Sequence, residues 1–170
     1  MVTLRCTQKL LRRVPGPLLD TPAQPTTVLG DWYANLLFRS PQQLILCVSQ
    51  RTLLPVVLPA KEIHTLSARL VVAIGEVLVA LGVAPSLVER ECLEMRQFHF
   101  GRTDSKSILA SLNDLMRGLC YALDRRPEES LLQHSLGLAE CPCGPLGYNS
   151  PGRATLQLFS SGSLARPATK

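Results

Sequence analysis

Between Asp31 and Leu58 three apolar runs follow one another with almost nothing between them: DWYANLLF (31–38), LILCVS (44–49) and LLPVVL (53–58). The links Arg39-Ser40-Pro41-Gln42 and Gln50-Arg51-Thr52 are turn-sized, whereas parallel neighbours need a crossover of about a dozen residues or more. The runs therefore predict an antiparallel meander. The middle run is continuously apolar, as expected of a strand covered on both faces. Pro55 has no N–H to give to a ladder, which places the third run at a sheet edge or on a bulge.

The rest of the chain sorts around that meander. Val2–Cys6 alternates like a half-buried strand, Thr7 can cap a short helix over Gln8–Val14, and the Pro- and Thr-rich stretch 15–27 reads as an internal loop. After Pro59 the period changes: Ile63, Leu66, Leu70, Ile74 and Leu81 recur at helical steps, predicting a helix near 61–82 with one core stripe. Its opposite stripe carries Val72 and Val79, a surface that would suit a protein partner or a homodimer. Further helices are expected near 86–96, 104–123 and 127–139, the last opening on Pro127-Glu128-Glu129 with acids in its first turn. Ser150-Pro151 opens a short helix to Phe159, and Gln97–Phe100 can add a strand. The expected fold is one α+β domain over residues 1–159, a small, mostly antiparallel sheet covered by three or more helices, followed by a flexible tail at 160–170.

Composition narrows the function. One Trp, three Tyr and four Phe are too few rings for an aromatic carbohydrate groove or a base-stacking platform. A net charge of +5 is a mild basic bias without a dense reading stripe, so nucleic-acid binding stands only as a weak alternative. The start of the chain has no apolar core of a secretory signal. Leu70–Val88 is long enough to raise a membrane span, but Glu76, two glycines and Pro85 interrupt it, which favours a core helix and a cytoplasmic protein. Six cysteines without a signal read as free thiols, four of them as small buried hydrophobes. Cys141-Pro142-Cys143 is the one close pair, and two thiols without further ligands at matched spacing do not make a structural zinc site. No metal or cofactor is implied.

The segment richest in chemistry is Gly101-Arg102-Thr103-Asp104-Ser105-Lys106-Ser107, at the expected mouth of the 104–123 helix. Free N–H groups and the dipole there favour an anion, with Arg102, Thr103, Ser105, Lys106 and Ser107 as its partners. The competing reading is that Thr103 or Asp104 caps the helix and Arg102 pairs with a surface acid. The GxxxxGK[ST] spacing of a phosphate loop is missing, and so is a GxSxG elbow. Trp32, His99 and Asp114 are candidate pocket-lining residues, should the Trp32 region meet the Arg102 loop. His64, His99 and His134 pair with nothing by spacing. With no catalytic constellation in view, a non-enzymatic binding or regulatory module is the leading reading. A small hydrolase or transferase acting on a phosphorylated ligand near 101–107 is the alternative.

LGDWYANLLF (29–38), GRTDSKSILASLND (101–114) and LAECPCGPLGYNSP (138–151) together resemble the signature blocks of an uncharacterised bacterial family, a domain of unknown function. The resemblance runs from about Val2 to Phe159. It implies an architecture that includes the 127–159 stretch, and it carries over no catalytic residue.

Overall fold

The computed structural model describes residues 1–16, 18, 24–39 and 41–162. Among the described residues five strands form one sheet: β1 (Val2–Cys6), β2 (Trp32–Arg39), β3 (Gln42–Ser49), β4 (Pro55–Pro59) and β5 (Phe98–Arg102). Their spatial order is β4-β3-β2-β1-β5. The meander is present as expected. β3 pairs antiparallel with both β2 and β4, and Pro55 lies in the edge strand, where its missing N–H costs no ladder bond. β1, by contrast, runs parallel to both of its neighbours, inserted between β2 and β5, with Cys6 beside Ala34 on one side and Arg102 on the other. By paired positions the sheet is mostly antiparallel, and with six α-helices around it among the described residues the domain is α+β.

Because strand side chains alternate, the sheet divides two cores. Val2, Leu4, Cys6, Trp32, Ala34 and Leu36 face one layer, containing α1 (Gln8–Leu11), α2 (Leu66–Leu81), α3 (Pro85–Glu94) and α6 (Pro151–Gly162). Tyr33, Leu44, Leu46, Val48 and Val57 face the other, beneath α4 (Lys106–Arg125). β1 shows what the alternation pattern missed: all five of its residues are buried, polar Thr3 and Arg5 included.

α2 buries Leu66, Leu70, Ile74, Val77 and Leu78 against the sheet, as a core helix does, while Val72 and Val79 stand about 60% exposed (62% and 59%) on its outer side. It ends where Gly82 takes φ +91°, a left-handed cap that glycine adopts without strain. α5 (Leu131–Ala139) starts later than expected. Ser130 and Gln133 form a reciprocal capping box, which satisfies two backbone N–H groups and so sets the helix start after Glu128-Glu129. α5 also straddles the sheet edge, with Leu138 in one core and Ala139 in the other. Its Ser135 Oγ accepts the Val57 N–H of β4 at 2.9 Å. A sheet edge covered by a helix cannot pair with another chain.

α6 continues to Gly162, past its expected end near Phe159, and residues 163–170 of the expected tail lie outside the described residues. The same holds for residue 17 and residues 19–23 of the expected Pro-rich loop.

Candidate functional site

Where β1, β2 and the entry to α4 meet, a buried guanidinium holds one buried carboxylate and one exposed carboxylate. Arg5 donates to Asp31 Oδ2 through Nε at 3.0 Å and lies 2.9 Å from it through Nη2. Asp31 Oδ1 accepts the Thr3 N–H at 3.0 Å, so this carboxylate, 1% exposed, has charge and hydrogen bonds satisfied together. The remaining Arg5 nitrogen, Nη1, donates to Asp104 Oδ2 at 2.5 Å, while Tyr33 donates its hydroxyl to Asp104 Oδ1, also at 2.5 Å. Burial, and then the hydrogen bond to Asp104, push the Tyr33 phenol well above its ordinary range, so it stays a donor. Gly30, at φ +78°, turns the chain into Asp31, and a Cβ there would meet Gln50 Oε1 at 2.8 Å. Gln50 Oε1 accepts the Asp31 N–H, so the glycine, the glutamine and the aspartate form one unit.

This network settles what happens at the mouth of α4. β5 extends through Gly101 and Arg102, so those residues are strand rather than helix entry. The cap is Ser105, whose Oγ accepts the Ile108 N–H at 3.3 Å, in place of Thr103 or Asp104. Asp104 then supplies, from within the chain, the negative charge that the helix dipole favours there. The expected anion partners separate accordingly. Lys106 and Ser107 are exposed on the first turn, Ser105 is spent on capping, and Arg102 and Thr103 turn toward α1.

There they line a cavity of about 390 Å³ with Cys6, Gln8, Leu11, Arg12 and Leu18. It opens at the carboxyl ends of the parallel strands β1 and β5, the end at which open sheets with parallel strands bind ligands. Arg12 and Arg102 come from different elements, and neither is ion-paired with an acid among the described residues. Cys6 is 1% exposed, and burial pushes its thiol up to about 12, which keeps it protonated at neutral pH.

The other expected pocket residues are dispersed. Trp32 is fully buried in the α2-side core beside Leu4, because its place on β2 turns it away from the face that Arg5 occupies. His99 pairs with Thr3 and so shares the Arg5 face, half-buried on β5. Asp114 is ion-paired with Arg117 on the exposed side of α4 and lines a separate cavity of about 190 Å³ with Ser111, Cys141 and Cys143. Both cysteines are free thiols, and the Cys143 thiol is raised by burial and by the neighbouring Cys141 and Asp114. Among the described residues no three His, Cys, Asp or Glu side chains cluster in a metal-binding arrangement. His134 is buried in α5 with neither ring nitrogen hydrogen-bonded; its Nδ1 lies 3.6 Å from Glu129.

The sequence does not mark Arg5, Asp31 or Tyr33 as members of a site, and Arg12 stands in it only as part of the mild basic bias. The usable signals were a charged residue inside the β1 run and an aspartate placed directly after a glycine, but both need the strand order before they mean anything.

Fold and site together define a small α+β domain with an arginine-lined cavity at the carboxyl edge of its parallel strands. The chain belongs to DUF6933, a family described as a domain of unknown function, whose model matches residues 3–154, from β1 into α6. No curated protein matches it.

Proposed function

We propose that this domain is a non-enzymatic binding module that takes a small anion, a phosphate or carboxylate group, in the cavity between α1 and the end of β5. The observation that carries the reading is the pair Arg12 and Arg102, two guanidinium groups without acidic partners among the described residues, facing one cavity of about 390 Å³. A guanidinium presents a planar fork of donors that matches both anions. Thr103 and Gln8 add neutral hydrogen-bonding groups, and Leu11 and Leu18 give the ligand an apolar wall. A binding role without turnover is supported by the chemistry of the lining: its Cys6 thiol is held protonated, and among the described residues no histidine or carboxylate lines it to serve as a base. Six free cysteines fit a reducing, cytoplasmic setting.

The test is a titration of the full chain with inorganic phosphate and with succinate, followed by amide chemical shifts. Saturable shifts at Arg102 and Thr103 are expected, weakened about 10- to 100-fold in Arg102→Ala and in Arg12→Ala, as for a lost charge-assisted hydrogen bond. An absence of shifts there at millimolar anion would end the proposal. Hydrolysis of a phosphate ester by the wild-type chain, lost in Arg102→Ala, would replace it with the hydrolase reading.

A further inference from the structure

A second and larger cavity, about 700 Å³, lies beyond α1 between Pro41 and the start of β3, the end of β4 and the α4–α5 junction. Its volume falls within the roughly 300–1,000 Å³ of sites that hold small organic molecules. Leu44, Ala60, Leu123 and Leu131 provide apolar surface, and three prolines, which carry no N–H to satisfy, complete much of the wall.

The charges at its rim are of two kinds. Arg13 and Lys61 are cations with no acid paired to them among the described residues. Arg13 is held in place, its guanidinium 5.3 Å from the centre of the Phe38 ring and its Nη1 donating to Gln43 Oε1 at 2.6 Å. The one acid lining it among the described residues, Glu129, is ion-paired with Arg126 at 3.1 Å, and its other oxygen lies 3.6 Å from His134 Nδ1. The free charge facing the cavity is therefore positive, above an apolar floor.

From this we infer that the cavity binds an organic anion with an apolar body, its carboxylate set between Arg13 and Lys61 and its hydrocarbon against Leu44, Leu123 and Leu131. The site is independent of the one between α1 and β5. Arg12 and Arg13 are consecutive, yet they line different cavities, so each site can be disabled alone.

Octanoate and octanol, which share a hydrocarbon chain and differ in charge, form the test. With the full-length chain, octanoate is expected to shift the amides of Leu44, Ala60 and Leu131 saturably, and octanol to bind about tenfold more weakly or worse. Lys61→Gln and Arg13→Gln should each weaken octanoate about tenfold, the scale of one charge-assisted contact. Both side chains are exposed, so circular dichroism should show the wild-type fold in each variant. Arg102→Ala should leave octanoate binding unchanged. Octanol binding as well as octanoate, shifts confined to other surfaces, or no loss in Lys61→Gln would each overturn the inference.

Discussion

Arg5 shares its charge between one carboxylate sealed in the protein and another at the surface, and the two carboxylates should answer differently to the same substitution. Asp31 is buried, so Asp31→Asn leaves a buried guanidinium half-compensated, and removing one partner of such a pair costs on the order of 3–5 kcal/mol. The Asp104 side chain is 57% exposed, and exposed pairs contribute only about 0–1 kcal/mol after solvent screening. Urea denaturation of Asp31→Asn and Asp104→Asn should therefore separate them by at least about 2 kcal/mol on those two scales. Equal losses would mean that Arg5 is not anchored by Asp31. None of this was legible in the sequence. Arg5 fitted the polar half of an alternating strand, and what buries it lies 26 residues away at Asp31 and 99 away at Asp104. Local periodicity reports which residues share a face; it carries no information about what that face will meet.

At the level of elements, legibility followed the length of the connections. The β2–β3–β4 meander could be read because its turns are short enough to force antiparallel pairing, and Pro55 marked the edge. The parallel placement of β1 could not be read, since a parallel neighbour leaves no turn between the strands to recognise it by. The 101–107 site suffered from the same gap: with β1 unplaced, nothing indicated that Asp104 would be drawn to Arg5 or that Arg102 would face α1. The start of α5 was misjudged because acids in a first turn and a Ser130–Gln133 capping box compete as start signals, and the box forms two hydrogen bonds. The α5–β4 contact yields a prediction at this scale. Ser135→Ala removes the acceptor of a buried edge-strand N–H and should cost about 1–3 kcal/mol. Hydrogen exchange should show the Val57 amide losing protection in that variant while amides of the β2–β3 ladder keep theirs; uniform loss across the sheet would contradict a local role for Ser135.

Across the whole molecule, the two halves of the chain are tied by Glu91. From α3 its carboxylate accepts the Val28 and Leu29 N–H groups at 2.7 and 3.0 Å, fastening the approach to β2. Burial raises its pKa, and those two hydrogen bonds only partly offset the shift. A carboxyl whose folded pKa lies above its unfolded value contributes stability that is present in full below the ordinary glutamate pKa of about 4.3 and is lost as pH rises through the folded value. Unfolding free energies measured across this interval should thus fall with rising pH more steeply in wild type than in Glu91→Gln. Parallel curves would remove Glu91 as the source of the dependence.

The insertion of β1 between β2 and β5 also has a consequence in time. The first strand to leave the ribosome is the one whose outer neighbour, Phe98–Arg102, is made last of the five. At synthesis rates of about 5–20 residues per second, that delay is of the order of 5–20 s. Meanwhile the β2–β3–β4 meander, with its short-range contacts, can already assemble. Val2–Cys6 can therefore pair along only one of its two edges, against β2, until translation supplies Phe98–Arg102 for the other.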